Sequence, residues 1–231
     1  MFRTASFYFL GLLVLLVAGF WQTYFSLPPG DVLLSLHWHG IPMVLWALFL
    51  IVQPWLIRSG RVKWHRALGK ASYALFPILV LAVTYVVIQD LGRNHPDPMS
   101  PGALGVYFIG YAHTGIMVLF YGLAIYHRKN VQLHARYMVS TALPMITPGL
   151  FRIVLNWIPA DADVLEYFFL TMVSVGIVPI ALIVADKIRG RIYPPFVYLA
   201  IAWAINLAGF KLAHSFDLWW SFTTWSLTLG I

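Results

Sequence analysis

Apolar residues come in long blocks along this chain, and the polar residues gather at the joints between them. The blocks lie at about 5–25, 33–57, 64–88, 103–126, 133–157, 164–185 and 196–213. Each approaches or exceeds the roughly 20 residues that a helix needs to cross a bilayer core. A helix satisfies its own backbone where no water can. No block shows the alternation of a membrane β-strand. The pattern therefore predicts an all-α, polytopic membrane helix bundle with seven transmembrane helices, forming one integral membrane domain over 1–231. Leu27-Pro28-Pro29-Gly30-Asp31 breaks the first block from the second, and Asn94-His95-Pro96-Asp97-Pro98 marks a polar loop. Pro144 and Pro148 predict a kink in the fifth helix. The first block ends in Trp21, Tyr24 and Phe25, so it reads as a retained helix with an aromatic belt and not as a cleaved signal. The tail, 218–231, carries three tryptophans, is too short to span, and is expected at the interface.

Composition agrees with the pattern. The 231 residues are 61% hydrophobic and 10% charged, far from the ~45–50% and ~25% of soluble domains. The net charge of +7 acquires meaning from its position. With the N-terminus inside, the inner segments hold Arg3, Arg58, Arg61, Lys63, Arg66, Lys70, Arg128, Lys129, Arg136, Lys187, Arg189 and Arg191. The outer segments hold Arg93, Arg152 and Lys211, with Asp161 and Asp163 beside them. The positive-inside rule then predicts N-in, C-out. The charge is a topology signal, so no nucleic-acid partner is expected. There are no cysteines, which leaves imidazole as the obvious metal ligand. No phosphate-binding glycine loop, zinc-protease motif or Ser/His/Asp set is present.

The histidines fall in a pattern on this topology. His39 lies near the outer end of the second helix and His113 in the outer half of the fourth. Each opens a His-x-x-x-Met-Val-Leu-aromatic string, through Met43 and Trp46 or Met117 and Phe120. His65 and His134 each follow a basic turn, at the inner ends of the third and fifth helices. Four consecutive helices thus carry one histidine each, two per side. A bis-imidazole haem needs two such histidines at similar depth, small residues at the ring face and cations for the propionates. Gly40, Gly69, Gly110, Gly115 and Gly122 are candidates for the ring face. Arg66, Lys70 and Arg136 are candidate inner cations, with Arg152 and Lys211 outside. His39 lies about 19 residues from Arg58 and His113 about 15 from Arg128, a depth difference of roughly 6 Å.

Plainer roles stand beside these. His65 and His134 also suit snorkelling at headgroups. His39 and His113 also suit buried hydrogen bonds to neighbouring backbone, and His37 an interface position. Met43, Met117 and Met138 suit helix packing, and Gln53 an interhelical hydrogen bond or a quinone-like head. His95 and His127 read as loop residues. An alternative outer metal site would use His37, His39, His113 and His214, although histidines two apart diverge on a helix unless its start is unwound.

Leu36-His37-Trp38-His39-Gly40, Gln53, His65-Arg66-Ala67-Leu68-Gly69 and His134-Ala135-Arg136-Tyr137-Met138 resemble a bacterial multi-pass membrane protein family with an H-x-H, H-R-x-L-G and H-x-R-x-M pattern and no established activity. The second to fifth helices resemble the two-haem cytochrome b561-type four-helix core. That resemblance implies transmembrane electron transfer through one or two b haems. His39 and His113 would ligate the outer iron, and His65 and His134 the inner one. It also implies the bacterial inner (cytoplasmic) membrane, a lipid bilayer partner, and a quinone or redox partner protein. The enzyme class, if any, would be a transmembrane oxidoreductase. The alternatives are a non-haem accessory or assembly factor for a respiratory complex and an outer-face enzyme holding another transition metal.

Overall fold

The computed structural model describes residues 4–94, 97–156 and 163–229, with the side chains of 90–94 left out. Arg3, His95 and Asp161 lie outside the described residues, as does the side chain of Arg93. The order is α1 (Ala5–Gly19), α2 (Leu34–Arg58), α3 (Val62–Asn94), α4 (Pro101–Tyr126), α5 (Val131–Ser140), α6 (Leu143–Leu155), α7 (Val164–Val175), α8 (Ile177–Ile188), α9 (Pro194–Leu212) and α10 (Asp217–Thr228). Among the described residues six segments have the length and apolarity of membrane spans: α2, α3, α4, α5 with α6, α7 with α8, and α9. The chain is a polytopic membrane helix bundle. The first block is α-helical only to Gly19 and continues as a π-helical turn, Trp21–Phe25.

Local chemistry sets the helix ends. Ser100, Asn130 and Asp163 cap α4, α5 and α7, each side-chain oxygen accepting from backbone N–H groups of the first turn. Gly60 and Gly190 take positive φ, 73° and 91°, just past α2 and α8. That left-handed conformation ends a helix and suits glycine. Both lie in basic turns. The fifth block breaks at Thr141-Ala142, ahead of Pro144, where Thr141 Oγ1 donates to the Met138 carbonyl at 2.7 Å. A break not predicted lies at Gly176, three residues before Pro179, which has no N–H to return to the turn before it.

The helices run antiparallel in sequence, and side-chain contacts fix the two ends. Ser6 donates to the Ile51 carbonyl at 2.9 Å, and Arg58 lies over Phe7 at 5.9 Å. The start of α1 therefore meets the end of α2. The start of α5 meets the end of α8 through Arg136 and Asp186. One end of the bundle thus gathers the turns carrying Arg58, Arg61, Lys63, Arg128, Lys129, Lys187, Arg189 and Arg191. We refer to it as the basic end. At the opposite end Lys211 pairs with Glu166 at 3.2 Å.

Two apolar clusters form most of the interior. One joins α1, α2, α3, α4 and α6 around Trp46, Phe76, Tyr121 and Met145. The other joins α4 to α7 and α9 around Phe120, Tyr137, Leu199 and Trp203. The second to fifth blocks are thus not a separate core; α1 and α9 are packed into the same interior. Outward faces carry Ile78, Leu81, Ile177, Ile180, Ile201 and Ile205, all exposed. Apolar exposure on this scale marks a lipid-facing surface. The tail folds as α10 and docks on α4, with Trp219 Nε1 donating to the Leu104 carbonyl at 3.1 Å.

Candidate functional site

His65 opens α3 and His134 opens α5, each within a turn of a basic joint. The fold brings them within electrostatic reach of each other, with Arg66 also in reach of His65. His134 Nδ1 lies 2.8 Å from the Ala124 carbonyl. A carbonyl only accepts, so Nδ1 carries the proton and Nε2 keeps its lone pair. That pairing fixes the ring and its tautomer, as backbone partners do for metal-ligating imidazoles. The His65 ring lies against the Gln53 backbone carbonyl, while its Nδ1 is buried and makes no hydrogen bond. The Gln53 side chain is buried, and both its amide atoms are unpartnered. Deeper along α3, Ser72 Oγ and Tyr121 Oη share a 2.8 Å hydrogen bond. Tyr121 stacks on Phe76 at 4.0 Å between ring centres, and both meet Trp46.

Arg136 does not lie open toward His134. Its Nε and Nη2 donate to the two Asp186 oxygens at 2.8 and 2.6 Å. Nη1 donates to Gln132, and the guanidinium lies 3.7 Å over the Tyr193 ring. Both members of the pair are buried. Arg66 and Lys70 are exposed at the basic end.

His39 and His113 turn toward different neighbours. His39 is within reach of Arg152 on α6, whose guanidinium lies 4.5 Å over Phe20. The His113 ring stacks on the Trp203 indole of α9, 5.1 Å between centres and 17° between planes. His39 Nδ1 and His113 Nε2 are nevertheless buried without hydrogen-bond partners, as are the side chains of Asn206 on α9 and Thr147 on α6. Such groups are costly in a membrane interior, where each unpaired polar atom forfeits its hydration.

The four-histidine outer metal set is not assembled. Among the described residues no three His, Cys, Asp or Glu side chains converge as metal ligands. His37 is tied elsewhere, with Nδ1 2.9 Å from Tyr24 Oη and Nε2 3.1 Å from the Pro29 carbonyl. The Pro29 carbonyl only accepts, so Nε2 carries the proton and Tyr24 Oη donates to Nδ1. His214 is exposed in a 3₁₀ turn.

The glycines divide by neighbour. Gly40 meets Tyr24, and Gly110 meets Val87. Gly115 and Gly122 are exposed with open space around them. Gly69, half-buried with nothing within 4 Å of a Cβ position, lies one turn from His65. Met43, Met117 and Met138 all pack in the first apolar cluster.

Comparison with protein-family models, curated proteins and solved structures gives no match to this chain.

Proposed function

We propose that the chain is a membrane haem protein that carries electrons, with one b-type haem held between His65 and His134. The observation behind this reading is that two imidazoles, from α3 and α5, lie within electrostatic reach of each other at the basic end. One has its Nδ1 anchored on a backbone carbonyl, and the other has a buried, unpartnered nitrogen. Two imidazoles from separate helices are the donor set of a low-spin haem. Ligation would give the buried His65 Nδ1 the partner it lacks. Ala124 holds the His134 ring, Gly69 leaves room beside His65, and Arg66 would be the cation for a propionate. When bound, the iron supplies one-electron chemistry, and the protein supplies orientation, burial and charge. A second haem between His39 and His113 is not part of the proposal, since those rings face different neighbours.

The proposal includes seven crossings with the basic end cytoplasmic, in a bacterial inner membrane, and a quinone or redox protein as exchange partner. The one-sided basic turns support that orientation.

The test is an optical spectrum of protein purified from haem-sufficient cells. A Soret band with a sharp reduced α-band is expected. His65→Ala and His134→Ala should each abolish the bis-imidazole spectrum, and His39→Ala and His113→Ala should leave it. A folded protein without a Soret band overturns the proposal and favours a non-haem accessory or assembly factor.

A further inference from the structure

A cavity of about 310 Å³ opens between α1 and α8. It exists because these two helices do not pack on each other: α1 rests on α2 and α6, while α8 rests on α7 and α9. Thr4, Phe9 and Leu12 line one wall; Arg189, Ala185 and Leu182 line the other, with α6 and α9 behind. The helices are antiparallel, so the register places Thr4 with Arg189 at the basic end and Leu12 with Leu182 deeper. From Thr4 to Leu12 the crevice runs about 12 Å, most of the ~15 Å of one leaflet.

We propose that this crevice holds one acyl chain of an anionic phospholipid, with the phosphate at Arg189. Its depth is apolar, which suits a hydrocarbon chain. Its mouth has a guanidinium and a hydroxyl, which suit a phosphate. Arg189 lines the crevice and gives one N–H to the Ala185 carbonyl at 3.0 Å, which leaves further guanidinium donors for a phosphate. Lys187 and Arg191 add positive charge on the same turn. Asp186, the one acid at that turn among the described residues, is neutralised by Arg136, so it does not repel an anion. Basic sites between membrane helices recognise anionic headgroups in this way. Arg189 sets the lipid apart from the bulk bilayer.

Native mass spectrometry of the whole protein released from detergent tests this. The probes are phosphatidylglycerol, phosphatidylcholine with the same chains, and inorganic phosphate. One phosphatidylglycerol should be retained in preference to phosphatidylcholine. Arg189→Gln should lower that preference about fivefold, the worth of one arginine at an anionic surface. Leu182→Trp and Ala185→Leu fill the crevice in two ways and should each remove the bound copy; the pair keeps the test intact if one variant misfolds. The proposal is overturned if neither lipid is preferred, or if the preference survives Arg189→Gln. It is also overturned if the bound lipid survives a folded filling variant. Displacement by phosphate alone, or an isoprenoid quinone retained in place of the lipid, overturns it equally.

Discussion

Asp186 stands next to Lys187, with Arg189 and Arg191 close behind, yet its carboxylate is fully buried and turned to Arg136, 50 residues earlier. The pair is bidentate and roofed by Tyr193. A buried charge that loses its partner costs ~3–5 kcal/mol, whereas replacing both members by apolar groups costs far less. Asp186→Asn should therefore lower stability by about that amount. Asp186→Leu combined with Arg136→Met should recover most of the loss, read as the unfolding midpoint in mixed micelles. Along the chain only the sign and position of Arg136 are visible, so there it reads as a candidate inner cation for a propionate. An acid inside an otherwise basic turn was the available signal. The ring stack of His113 on Trp203 had no comparable signal, since one of ten tryptophans looks like any other until the helices are packed.

Helix positions were largely legible because apolar block length and capping residues are local properties. The blocks at 33–57 and 103–126 became Leu34–Arg58 and Pro101–Tyr126. The break at Thr141-Ala142 was visible in Pro144. Pro179 stands to the break at Gly176 much as Pro144 stands to the earlier one, so that break was signalled along the chain as well. Helix crossings were least legible, because they depend on neighbours distant in sequence. A Cβ on Gly19 would run into the Gly149 carbonyl oxygen, so α1 and α6 approach backbone to backbone there. Small residues permit such contacts between membrane helices. Gly19→Ala should push the helices apart at a cost of ~1–3 kcal/mol, the usual range for overpacking. Gly115→Ala, with open space around it, should be neutral or slightly stabilising through helix propensity. Thermal unfolding of the two variants side by side separates a packing effect from a general intolerance of alanine.

The sidedness of the molecule depends on whether α1 and its π-helical turn cross. The contacts of α1 with α2 run the full length of the pair. Ser6 meets Ile51 near the basic end, and Tyr24 meets His37 and Gly40 at the other. From Ser6 to Tyr24 is roughly 27 Å at helical rise, close to the ~30 Å of a hydrocarbon core. If α1 crosses, the termini lie on opposite sides, and the basic turns share the side of the N-terminus. The absence of cysteine makes this directly measurable. Single cysteines at Thr4, Asn130, Asp163 and Thr228 can be challenged with a membrane-impermeant maleimide in intact cells, then again after permeabilisation. Thr4→Cys and Asn130→Cys should label only after permeabilisation, and Asp163→Cys and Thr228→Cys in intact cells. Labelling of positions 4 and 228 from the same side would show that α1 does not cross, which leaves six crossings. Labelling of position 130 in intact cells would reverse the orientation and place the His65–His134 site at the outer surface. For the proposed haem protein the choice of redox partner would follow from that result, because a haem near the cytoplasmic face would exchange electrons with different donors from one facing outward.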